Sequence, residues 1–149
     1  MLQQRYAEAL AAFDEARRIF TELGEAGAVA TAWHQMGMVQ RRAEQWEAAE
    51  RAYRRSLALN VQQGNRAGQA SSLNELGTLF DATGRGEEAI VAYRQGADIR
   101  VALGDQAGEG RVRNNSARAL VKLGRLGEAR REIQRAIECK QPFGHVASP

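Results

Sequence analysis

The stretch 73-LNELGTLFDATGRGEEAIVAYRQG-96 decides the fold. Leu73, Leu76, Gly77 and Phe80 fall at i, i+3, i+4 and i+7, which is one face of an amphipathic helix. "TGR" at 83–85 then interrupts the pattern with a glycine able to take the left-handed conformation that ends a helix. A second amphipathic run follows, carrying Ala89, Tyr93 and Gly96. The segment therefore reads as two helices joined by a tight turn. Gly77 inside a helix costs about 1 kcal/mol against alanine. Close approach of the second helix offsets that loss, and the small Ala89 suits such an approach.

Outward from this hairpin, the chain repeats itself. Shifted by 40 residues it lies on itself without a gap. Gly24, Gly64 and Gly104 superpose, as do Ala9, Ala49, Ala89 and Ala129. Phe13, Tyr53, Tyr93 and Ile133 form a large apolar series, and Ala16, Ser56, Gly96 and Ala136 a small one. Gly37, Gly77 and Ala117 correspond, and Trp33 matches Leu73. First helices are expected near 27–42, 67–82 and 107–122, and second helices near 46–62, 86–102 and 126–140. Gly64-Asn65 and Gly104-Asp105 read as a helix stop followed by an N-cap. "LGR" at 123–125 repeats the inner turn, whereas the first copy carries Glu44 at the glycine position. The only prolines are Pro142 and Pro149, so residues 1–141 lack the strongest helix breaker. An all-α fold of about seven helices follows.

The pattern Trp33-x2-Met36-Gly37-x2-Gln40, then Ala49-x3-Tyr53-x2-Ser56, recurs as Leu73-x2-Leu76-Gly77-x2-Phe80, then Ala89-x3-Tyr93-x2-Gly96. It resembles the tetratricopeptide repeat. The 40-residue period is longer than the usual 34, and Val61 and Val101 stand where the repeat-ending proline belongs. In this it is similar to the long repeats of kinesin light chains, of Leu-Gly-Asn-repeat adaptors and of bacterial signalling proteins. The resemblance implies a right-handed superhelical stack of antiparallel helix hairpins. It divides residues 1–141 into an orphan second helix (1–26) and three repeats (27–66, 67–106, 107–141), with 142–149 a flexible tail. The third copy is the loosest, with Arg113 and Ser116 at apolar positions. Because residues 1–22 match a second helix with no first helix before it, Tyr6, Leu10, Phe13 and Phe20 are expected to expose apolar surface and drive self-association through the array end.

Bulk properties narrow the function classes. The 149 residues are 44% hydrophobic and 26% charged, a globular composition. Net charge is only +3, from 21 basic and 18 acidic residues mixed along the chain, which argues against a nucleic-acid binder. No apolar run approaches a membrane span. A single cysteine precludes an internal disulfide and, with no secretion signal at the start, points to the cytoplasm. Cys139 shares its register with Ile19, Leu59 and Ile99 and is expected to be buried and unreactive. His34 and His145, the only histidines, have no companions at metal-ligand spacing. "GDQAGEGR" at 104–111 lacks the Gly-Lys-Ser/Thr ending of a phosphate loop. No catalytic constellation stands out, so neither an enzyme nor a cofactor is expected. Trp33 reads as a packing residue and Trp46 as a half-buried contact between helices.

The remaining candidate is the face of the first helices directed away from the core. Spacing places Thr31, His34, Met38, Arg41 and Arg42 there, then Ser71, Asn74, Thr78 and Asp81, then Arg111, Asn114, Arg118 and Lys122. The resemblance implies that this face lines a concave groove for a peptide or a partner helix, with Asn74 and Asn114 suited to a peptide backbone. With five Arg/Lys to one Asp, the groove favours an acidic or polar protein segment. The alternative is a peptide- or ligand-sensing arm of a larger bacterial regulator. Arg113 stands where the sister copies carry Trp33 and Leu73, so its stem is expected to pack while its charge reaches solvent.

Overall fold

The structure, a computed structural model, describes residues 1–140. The expectations for His145 and for the tail at 142–149 lie outside the described residues. Seven helices occupy nearly all of the described chain: α1 Leu2–Glu22, α2 Ala26–Arg42, α3 Trp46–Gln62, α4 Arg66–Ala82, α5 Gly86–Leu103, α6 Gln106–Lys122 and α7 Leu126–Lys140. Among the described residues there is no strand. Each helix packs against the one before and the one after it, and α4 also touches α6. The first helices α2, α4 and α6 therefore form one layer, and the second helices α1, α3, α5 and α7 the other.

The turns follow from short-range chemistry. Asn65 and Asp105 cap α4 and α6 by accepting hydrogen bonds from the amides of Gly68 and Gly108, both at 2.9 Å. Glu44 occupies the place of Gly84 and Gly124 and still forms the turn, at a φ of +60°. That left-handed conformation costs a residue with a Cβ about 1–2 kcal/mol, so tertiary packing imposes it.

The core runs through the middle of the stack, with Tyr53, Leu79, Ile90 and Leu120 among its fully buried side chains. The helix glycines make room for aromatic rings. A Cβ on Gly37 would sit 2.6 Å from Tyr53, and one on Gly77 would sit 2.5 Å from Tyr93. The closest neighbour of these glycines is thus the tyrosine of the second helix, not the small alanine before it. Trp33 is half-buried, with the Arg17 and Arg55 guanidinium groups 5.1 and 5.3 Å from its ring centre. Trp46 is half-buried against the core.

Arginines in the inner turns tie successive hairpins together. Arg85 donates to Glu88 through Nε and Nη2, and through Nη1 to Glu50 of the preceding hairpin at 2.6 Å. One period later, Arg125 grips Glu128 in the same way and reaches back to Glu87 at 2.7 Å. These bonds hold Glu128 down to a pKa of about 2, through Arg125 first and Arg94 second. The Arg85 hydrogen bonds lower Glu88 as well. At Glu50 burial pushes upward, but Arg85 and Arg54 outweigh it and the pKa falls.

Two sequence expectations are corrected. The Arg113 charge does not reach solvent: its side chain is 8% exposed, and it pairs with Glu109 at 2.7 Å and Glu132 at 3.1 Å. Two carboxylates, one four residues back on α6 and one across on α7, supply the charge balance that burial requires. Burial works against the guanidinium, yet these two hydrogen bonds hold its pKa above the ordinary arginine value. Cys139 is half-buried, not buried. Its register mate Ile99 is 8% exposed because α5 is covered from both sides, whereas among the described residues α7 packs chiefly on α6. Burial and the neighbouring Glu109 still push the Cys139 thiol up, away from the reactive thiolate.

Candidate partner-binding groove

The first helices present a polar strip, and two adjoining clefts on it are lined by Thr31, His34, Ser71, Asn74 and Arg111 of the expected residues. A cleft of about 190 Å³ is lined by His34, Ser71, Asn74, Glu75, Arg100 and Arg111, together with Gly108 and Val112. A neighbouring cleft of about 210 Å³ shares His34 and Ser71 and adds Thr31, Ser56, Asn60 and Asn65. His34 is half-buried, its ring tilted against Tyr53 at 5.8 Å between centres. Met38 packs on the core instead of standing free. Thr31 and Thr78 turn their hydroxyls back to the carbonyls of Gly27 and Asn74, four residues earlier.

Charge in the groove is partly used up within the chain. Arg41 lies 3.9 Å from Glu75, and the Tyr53 hydroxyl donates to the same carboxylate at 3.3 Å. Lys122 reaches across from α6 to Asp81 on α4 at 3.1 Å. Arg100, from α5, donates to Ser71 Oγ at 3.1 Å and pairs with Asp105. Arg42, Arg111 and Arg118 are exposed, and among the described residues none of them has a carboxylate partner. Arg118 makes one hydrogen bond, to Asn115 Oδ1 at 3.3 Å.

Asn74 is engaged too, accepting at Oδ1 from Asn115 Nδ2 at 3.1 Å. Its own amide protons have no acceptor among the described residues. Asn114 is half-buried on the same strip and Thr78 accepts from the Tyr93 hydroxyl at 3.2 Å. Burial, joined by the Glu75 charge and opposed by Arg41, pushes Tyr53 up to about 12. Burial raises Tyr93 likewise. Both phenols are therefore neutral donors at physiological pH.

Glu75, Asn115 and Arg100 are groove residues that sequence spacing did not single out. Gln35, Glu75 and Asn115 form a polar series at the repeat period, and that series was the available signal. Tyr6, Leu10, Phe13 and Phe20 lie half-buried on the side of α1 that packs against α2. The exposed stripe of α1 is the opposite one.

A family model described as "Tetratricopeptide repeat" matches residues 1–60 and 28–102. The chain belongs to the tetratricopeptide repeat family. No curated protein matches it significantly. Among solved structures, BtubC (BKLC) from P. vanneervenii is similar with a TM-score of 0.80 at 21% identity, over 96% of this chain and 58% of that one. The chain thus spans little more than half the length of that structure. MamA is similar with a TM-score of 0.67 at 19% identity, over 91% of this chain and 81% of that one. Kinesin light chain-like, nearly identical TPR-like repeats from Podosopora anserina give 0.73 at 16% identity, over 95% and 70%. At these identities the likeness is one of fold. Repeats of this family serve as protein–protein interaction modules and are in general non-catalytic scaffolds. No described helix is long and apolar enough to cross a membrane.

Proposed function

We propose that the strip on α2, α4 and α6 is a binding groove for an extended or helical segment of a partner protein, acidic or polar in chemistry. The observation that carries this reading is the contrast among the groove cations. Arg41 and Lys122 are matched by Glu75 and Asp81, whereas Arg42, Arg111 and Arg118 stand exposed without a carboxylate among the described residues. Guanidinium groups in that state bind carboxylates with forked, charge-assisted hydrogen bonds. Asn74 and Asn114 add donors and acceptors for a peptide backbone.

The test is a peptide array in which each acidic sequence is paired with its Gln/Asn isostere. The acidic members are expected to bind and the isosteres to bind about tenfold more weakly, as loss of one or two charge-assisted contacts dictates. Arg111→Glu with Arg118→Glu should abolish the preference while circular dichroism stays unchanged. Equal binding of both sets, or an unaffected double variant, would count against this groove.

A further inference from the structure

A second surface, apart from the groove, is formed by the outward faces of α1 and α7. On α1, Glu8, Ala12, Glu15, Ile19 and Glu22 recur at i, i+4, i+7, i+11 and i+14, and all five are exposed. None of the three glutamates makes an ion pair among the described residues. Ile19 is 47% exposed, against 8% for its register mate Ile99. On α7, Ile133 and Ile137 are 43% and 44% exposed, where Tyr93 and Ala97 of the preceding copy are 2% and 3%. Leu126 extends that apolar stripe, and Arg130 and Lys140 share its face.

The charge of the two faces is opposite, and the reason lies inside the fold. Two of the three glutamates of α7 turn inward: Glu128 to Arg94 and Arg125, and Glu132 to the buried Arg113. The outward face of α7 is left with cations around its isoleucines. The outward face of α1 has three carboxylates around an alanine and an isoleucine; Arg5 stands at one edge, and Arg18, at the other, is paired with Asp14, so the face is net acidic. Pairing like with like would set glutamate against glutamate, or cation against cation, at the cost of several kcal/mol that attends like-charge contacts. Pairing α1 with α7 satisfies both charge and apolar surface.

We propose that the acidic–apolar face of α1 docks on the basic–apolar face of α7 of a second copy of this chain. The contact is heterologous, so it leaves an unused α7 face on one copy and an unused α1 face on the other. It therefore propagates head to tail instead of closing as a symmetric dimer. Single helix faces bury less than a standard interface, so the assembly is weak and grows with concentration. Exposed charges at the contact make it sensitive to salt.

Sedimentation of the full 149-residue chain tests this, from about 10 µM to about 1 mM. Average mass should rise past the dimer without a plateau, and should fall when ionic strength is increased. Two charge-reversed chains decide the geometry. Glu15→Lys with Glu22→Lys should be monomeric alone, as should Arg130→Glu with Lys140→Glu. Mixed in equal amounts, they offer one contact with both faces intact and one with both faces reversed; each is charge-complementary, so growth past the dimer should return. Unchanged helicity shows that the substitutions act on association and not on folding. A wild-type chain that stays monomeric throughout overturns the proposal. So does a charge-reversed chain that still self-associates alone, or a mixture that fails to pair.

Discussion

The Tyr93 ring occupies the space that a Cβ on Gly77 would need, with its nearest carbon 2.5 Å from that position. The same relationship joins Tyr53 to Gly37 one period earlier, at 2.6 Å. In the third copy both partners change together: Ala117 replaces the glycine and Ile133 the tyrosine. The third copy thus has a methyl where the ring is gone, and the residue in the ring's place, Ile133, is 43% exposed.

Gly77→Ala is therefore expected to destabilise the fold by about 1–3 kcal/mol, the range for overpacking a filled core, despite the better helix propensity of alanine. Adding Tyr93→Ile, which copies the third repeat, should recover part of the loss. A double-mutant cycle by urea denaturation measures the coupling. Additive effects would show that the two side chains do not compete for this space.

The buried cluster of Arg113, Glu109 and Glu132 carries a second prediction. Arg113→Ala leaves two carboxylates, 16% and 12% exposed, facing one another without their shared cation. The expected cost is roughly 2–3 kcal/mol, near the lower end for breaking a buried ion pair. Arg113→Lys should restore only part of it, because an ammonium lacks the fork that bridges both carboxylates. Thermal unfolding of the three chains at neutral pH ranks them.

The fold was legible because helix-forming positions are decided locally. The apolar spacing of Leu73, Leu76, Gly77 and Phe80, the turn glycines and the absence of proline all act within a few residues, and the 40-residue period multiplies the signal. The observed first helices begin one residue before the expected positions and end at them. The groove was legible in direction only. Spacing along α4 puts Asn74 on the open face, but whether Asn74 meets a ligand or Asn115 depends on how far α6 is rotated against it. That rotation is fixed by contacts between hairpins, such as Leu120 with the core, which spacing along one helix does not encode. Arg113 escaped for the same reason: Glu132, its partner across the hairpin, lies 19 residues on.

Glu44 gives a third prediction. Its φ of +60° is one that glycine reaches freely, and the corresponding turns use Gly84 and Gly124. Glu44→Gly should raise stability by about 0.5–1 kcal/mol, relief of the left-handed strain exceeding the extra freedom glycine brings to the unfolded chain. A melting temperature that falls would show that the Glu44 side chain makes a compensating contact.

The turn arginines make stability depend on pH in a defined direction. Glu128, at about 2, and Glu50 and Glu88, both lowered, bind protons less readily in the folded chain than in the unfolded one. A carboxylate of depressed pKa contributes stability that is complete above its unfolded value of about 4.3 and is lost as pH falls through its folded value. The loss should therefore begin near pH 4.5 and continue toward pH 2. All three carboxylates are in bonds to Arg85 or Arg125, so Arg85→Gln with Arg125→Gln removes the leading cause of the depression, leaving Arg54 on Glu50 and Arg94 on Glu128. At pH 7 that double variant should be only slightly less stable than the wild type, since these pairs are largely exposed and screened. Between pH 4.5 and 2.5 the two chains should converge, because the wild type is giving up interactions that the variant never had. Urea midpoints across that range measure the convergence, and parallel curves would mean that other carboxylates govern the acid response.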